Sequence, residues 1–135
     1  MKELTIAATV ENIPMVIDFV NEQLEALECP TKIQLQMEIV IDELFSNIAQ
    51  YAYNPTIGVA TVRVEVEEEP VSVVVTFIDE GKPYDPLAKE VPDTTLDLEE
   101  REIGGLGIYM VKQSMDNVIY EYKNGKNILK VKKSI

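Results

Sequence analysis

The chain has 135 residues, 46% of them apolar, with twelve Lys and Arg against twenty-four Asp and Glu, a formal charge of −12. That is the size of one domain with a core of its own, spanning residues 1–135, and its acidity argues against a surface built to neutralise a nucleic-acid backbone. A sequence without histidine excludes a His-based triad, an imidazole metal site and a phosphohistidine, and the lone Cys29 excludes an internal disulfide and fits a reducing compartment.

The opening Met1-Lys2-Glu3-Leu4-Thr5 has no apolar run of signal-peptide length, and no stretch of about 18 apolar residues follows. The expectation is a soluble cytoplasmic domain with no membrane span. Residues 4–10 read as a first strand. Asn12 is placed to cap a helix that tolerates Pro14 in its first turn, with Ile13, Val16, Ile17, Val20, Leu24 and Leu27 at helical spacing. Cys29-Pro30 ends it. A second helix opens at Thr31, where Gln34 completes a capping-box pattern, and runs through Met37, Val40, Leu44 and Ile48 to Ala52. Its apolar residues cover nearly the whole circumference, which predicts burial all round.

Residues 59–67 and 71–79 read as Val-rich strands joined by a turn at Glu67-Glu68-Glu69-Pro70. Val62, Val64 and Val66 alternate with Arg63, Glu65 and Glu67, so the first of these has one wet face; the uniformly apolar Val73-Val74-Val75 belongs to a central strand. Residues 82–103 fit neither period, carry Pro83, Pro86 and Pro92, and are too long for an ordinary connection, as a lid would be. A short helix at residues 96–100 would shorten this segment. A third helix follows over 105–115, then strands at 118–122 and 128–132 around Asn124-Gly125, a strong hairpin signal. Lys130, Lys132 and Lys133 have the pattern of a solvated strand face. The order β-α-α-β-β-loop-α-β-β predicts an α+β, two-layer sandwich, a mixed sheet with helices on one face.

Three local constellations carry chemistry. Glu43 and Asn47, four residues apart, stack on one helix face; a carboxylate can deprotonate a hydroxyl and an amide oxygen can ligate a hard cation such as Mg²⁺. A solvent-facing polar stripe would show the same pair, although Asn is a poor residue in the middle of an apolar helix. Asp79-Glu80-Gly81 closes a strand: the carboxylate can accept from the amino group of a heterocycle, and glycine lets a flat ring come close. An ordinary Asp-x-Gly turn reads identically. Gly104-Gly105-Leu106-Gly107 leads into a helix, where unpaired amides and the helix dipole suit phosphate, or where glycines simply let a loop turn into a helix. Met110 stands where a dinucleotide-binding loop needs its third glycine, and no Gly-Lys-Ser/Thr follows to make a P-loop.

Taken together and in order, these stretches resemble the GHKL ATPases with the Bergerat fold, and more narrowly the stand-alone anti-sigma factor serine/threonine kinases. Residues 43–53, from Glu43-Leu44-Phe45-Ser46-Asn47 to Tyr53, look like their N box. Asp79-Glu80-Gly81 with Tyr84-Asp85 looks like the first glycine box, and Gly105-Leu106-Gly107-Ile108-Tyr109-Met110 like the second. The resemblance covers nearly the whole chain, including the closing hairpin. It implies ATP and Mg²⁺ as ligands, Glu43 as the base toward the attacking hydroxyl or water, and Asn47 as the metal ligand. Asp79 would bind the adenine amino group with Gly81 giving the ring clearance, while Gly105, Leu106 and Gly107 would wrap the phosphates at the hinge of a lid over residues 82–104. Arg101 stands near the place of a lid arginine. The first glycine box lacks a second glycine, Pro83 following Lys82, which favours the kinase subgroup over chaperone or topoisomerase relatives.

The activity so implied is phosphoryl transfer from ATP to a serine or threonine of a small anti-sigma antagonist, with a sigma factor as a second partner and a homodimer through the first helix and the first sheet edge. A nucleotide-gated binding regulator with little turnover is the competing function. A ligand-free interaction domain is the third, and it requires three coincidences in the expected order.

Overall fold

The Val-rich alternation decides which side of the sheet is covered, and the helices follow from it. The computed structural model of the protein describes residues 1–88 and 103–135. The short helix expected at 96–100, Arg101 and most of the expected lid lie outside these described residues.

Five strands, β1 (Lys2–Ala7), β2 (Val59–Glu67), β3 (Ser72–Asp79), β4 (Asn117–Lys123) and β5 (Lys126–Ser134), form one sheet in the order β1-β2-β3-β5-β4. Three helices, α1 (Ile13–Ala26), α2 (Thr31–Asn47) and α3 (Ile103–Ser114), complete the α+β sandwich, and among the described residues no helix is long and apolar enough to cross a membrane. Every strand pair is antiparallel, so the sheet is not the mixed one expected. The reason is an even number of passes: α1 and α2 lie between β1 and β2, and α3 and β4 between β3 and β5, so each chain return reverses the strand sense.

Register puts Leu4 opposite Val62, Val62 opposite Phe77 and Phe77 opposite Leu129 on one face, with Val64, Val75, Val131 and Val118 in the next row. That face packs on Val16, Val20 and Leu24 of α1, on Met37, Ile41, Leu44 and Phe45 of α2, and on Ile108 and Val111 of α3, in one core. β3, central in the sheet, is buried from Ser72 to Phe77, as its continuous apolar run requires.

Local details depart from expectation in informative ways. β1 ends at Ala7 rather than residue 10, because Val10–Asn12 forms a 3₁₀ turn ahead of α1. Asn12 does precede α1, but its side chain makes no cap; its Nδ2 donates to the Ala7 carbonyl and fastens the turn to β1 instead. Thr31 is the first helical residue of α2 rather than its cap, so the capping box does not form, and Gln34 Nε2 donates to the Cys29 carbonyl. α2 is not buried all round either: Leu35 and Ile39 are 54% and 53% exposed, since sheet and flanking helices cover one side only. Its last turn, Ile48–Ala52, widens into a π-helix. The turn Asn124-Gly125 has φ of 55° and 76°, the double positive pair that the right-handed twist of a two-residue hairpin demands.

Candidate functional site

β3 ends in Asp79, which register places on the helix-facing side opposite Asn127 of β5. Its carboxylate is 5% exposed, and Oδ1 accepts from the Gly81 N–H and from Asn127 Nδ2, both at 2.9 Å. Burial pushes the Asp79 carboxyl upward from its usual range, while those two hydrogen bonds pull it back. Past Asp79 the chain folds tightly onto the end of α2. The Lys82 N–H donates to the Ala52 carbonyl at 2.9 Å, and a Cβ on Gly81 would overlap that same carbonyl, so the absence of a side chain here serves the approach of two backbone segments. Tyr53 supports the bend, its hydroxyl accepting from the Glu80 N–H at 2.8 Å and donating to the Val59 carbonyl at 2.7 Å.

On α2, Glu43 and Asn47 share a face one turn apart, with Asn47 Nδ2 donating to Glu43 Oε1 at 3.5 Å. Asn47 is only 8% exposed, which separates it from a solvated stripe. The Glu43 carboxylate also lies against α3 at Gly107, where a Cβ would overlap it. Gly105, Leu106 and Gly107 stand inside the first two turns of α3, which begins at Ile103, two residues ahead of the helix read over 105–115. The amides a helix leaves unpaired are those of its first turn. Gly105 and Leu106 belong to that turn, whereas Gly107 lies beyond it and is where Glu43 rests.

Asn47 and Asp79 open into one cleft, walled by Leu44, Ile48, Phe77 and Leu129 and closed by Tyr84 and Tyr120. Apolar walls with a few fixed polar groups suit a flat heterocycle. The cleft is tight: its volume is about 30 Å³, room for one or two waters. Tyr84 is held by its ring, stacked on Tyr51 at 5.5 Å between centroids, and by its N–H, which donates to Asn127 Oδ1 at 3.1 Å. Among the described residues no cluster of three or more His, Cys, Asp or Glu side chains could enclose a metal ion. A cation here would be held by a single amide oxygen together with the oxygens of its ligand, a pattern that suits Mg²⁺.

Three separated stretches singled out by sequence thus meet. Glu43 touches Asn47 and Gly107, Asn47 shares the cleft with Asp79, and Gly81 forms the bend beside it. Tyr84 belongs to the stretch read as the first glycine box, whereas Asn127 and Tyr120 were not singled out by sequence. The available signal was Asn127 itself: asparagine is depleted in strands, and this one stands at an inward-facing position of β5.

The model for the histidine kinase-like ATPase domain family matches residues 6–133 of the chain. The serine-protein kinase RsbW of Bacillus cereus is 29% identical over 100 residues, which cover 71% of this chain and 61% of that relative, so the match spans about three-fifths of its length. Among solved structures, the Acinetobacter baumannii histidine kinase AdeS superposes with a TM-score of 0.50 at 13% identity, covering 99% of this chain and 68% of that one. At that identity the likeness concerns the fold.

Proposed function

The chain belongs to the histidine kinase-like ATPase domain family, and on that footing we propose that it is an ATP-dependent protein serine/threonine kinase of the anti-sigma factor type. Its acceptor is a small antagonist protein, a sigma factor is its second partner, and it works in the cytoplasm. The observation that carries this reading is the convergence of Asn47 and Asp79 on one cleft, with Glu43 one helical turn away. The likeness to a serine-protein kinase supports the narrower choice.

In this reading Asp79 Oδ2 accepts from the adenine amino group, and the apolar walls hold the ring faces. Asn47 turns Nδ2 toward Glu43, which leaves its Oδ1 as the atom for Mg²⁺. When bound, Mg²⁺ neutralises charge on the phosphate oxygens. The γ-phosphoryl group passes to a serine or threonine hydroxyl oxygen as its bond to the ADP oxygen breaks, and the hydroxyl proton goes to Glu43. Such a transfer needs positioning and charge neutralisation more than covalent help, so a sparse site in a chain of −12 is adequate. The α3 amides of Gly105 and Leu106 supply the remaining positive potential beside the phosphates. A homodimer through α1 and the β1 edge completes the proposal.

Phosphotransfer to the antagonist, read with γ-labelled ATP, tests it. Glu43→Ala is expected to lower transfer by about 10²- to 10⁴-fold while ATP affinity stays near wild type. ATP binding with no labelled acceptor in the wild type would leave the fold standing and remove the kinase. The engagement of Glu43 with Asn47 and Gly107 favours a second function, a nucleotide-gated regulator with little turnover. Single-turnover rates with the antagonist separate the two.

A further inference from the structure

Asn127 is a fully used amide. Its side chain has two donor hydrogens and two acceptor positions, and it is 5% exposed. Nδ2 donates to Asp79 Oδ1 at 2.9 Å and to the Lys82 carbonyl at 2.8 Å, with the Gly81 carbonyl at 3.5 Å. Oδ1 accepts from the Tyr120 hydroxyl at 2.5 Å and from the Tyr84 N–H at 3.1 Å. One side chain thereby joins the end of β3, the bend at 81–84, β4 and β5. Nothing in the strand ladder requires this, because an apolar residue at the same inward position would continue the row of Leu129 and Val131.

The consequence falls on Asp79. With Oδ1 filled by Asn127 and the Gly81 N–H, Oδ2 is the oxygen left to face the cleft. We propose that Asn127 is the positioning residue for base recognition: it fixes Asp79 as an acceptor with one oxygen presented, so that the cleft selects nucleotides carrying an exocyclic amino group. This rests on the purine reading of the cleft and deepens it. Without the Asn127 donor, the buried carboxylate is free to turn or to take up a proton, and a protonated acid no longer discriminates an amino group from its absence. Burial already raises the Asp79 carboxyl, and the hydrogen bonds from Asn127 and the Gly81 N–H are what pull it back.

The experiment measures dissociation constants for ATP and for purine riboside triphosphate, which has hydrogen in place of the 6-amino group. The proteins are wild type, Asn127→Asp and Asn127→Leu. Asn127→Asp keeps the shape and the acceptors for Tyr84 and Tyr120 but puts a second carboxylate where Asp79 had a donor. Wild type is expected to prefer ATP by about tenfold or more, the scale of a hydrogen bond to a charged group. In both variants that preference is expected to fall within about threefold. If both dissociation constants rise together and the ratio survives, Asn127 is merely structural and the inference is overturned. Wild type binding neither nucleotide removes the purine reading itself, and this inference with it. If neither variant folds, the wild-type Asn127 side-chain amide resonance decides: a larger displacement by ATP than by the deaminated analogue supports the role, and equal displacement overturns it.

Discussion

Asp79 is a buried carboxyl at a cost to the fold. Because burial raises its carboxyl, the native state holds the proton more tightly than the unfolded chain does. The sign then follows: the contribution of this one group to stability is fully present below the ordinary carboxylate range and is lost as pH rises through the raised native value. Asp79→Asn has no charge to bury, and its amide oxygen can still accept from the Gly81 N–H and Asn127. Without ligand at neutral pH this variant is expected to melt no lower than wild type, with any advantage disappearing in acid, while it loses the stabilisation that Mg-ATP gives wild type. Thermal melts across pH, with and without nucleotide, check both halves. Asp79 itself was legible in sequence as an acid at a strand end. Its partner Asn127 lies 48 residues away and was not, since only register brings the two opposite each other.

At the scale of elements, periodicity located the helices and strands, and what it could not read was which side of each would be covered. α2 carries apolar residues on every side, yet Phe45 is 0% exposed whereas Leu35 is 54% exposed. Phe45→Ala is accordingly expected to cost about 3–5 kcal/mol of unfolding free energy, and Leu35→Ala within about 0.5 kcal/mol of nothing, in urea titrations. The helix caps failed for a related reason. Asn12 and Gln34 have the right side chains at the right spacing, but the Ala7 and Cys29 carbonyls compete for them, and tertiary placement decides the winner. The helix read from residue 105 begins two residues earlier, at Ile103, although glycine is a weak helix former; packing of α3 against α2, with Glu43 seated at Gly107, outweighs that preference.

For the whole molecule, ligand binding and folding are linked. A nucleotide that binds the native cleft alone stabilises the fold by about 2.7 kcal/mol at a hundredfold excess over its dissociation constant. Mg-ATP is expected to raise the melting temperature accordingly, with most of the gain removed by chelating the metal and none seen with free phosphate. A melt unmoved by Mg-ATP at millimolar concentration would argue against a nucleotide site.

By itself the sequence determined the two-layer α+β class and the positions of the helices and strands among the described residues to within a few residues, and it offered Glu43, Asn47 and Asp79 as candidates, because periodicity, turn residues and side-chain chemistry are local properties. The tertiary structure alone decided that every strand pair is antiparallel, that Glu43 rests on Gly107, and that Asn47, Asp79 and Asn127 share a cleft. Those facts depend on strand register and on helix packing between residues far apart in the chain, and no local pattern encodes the distance between them.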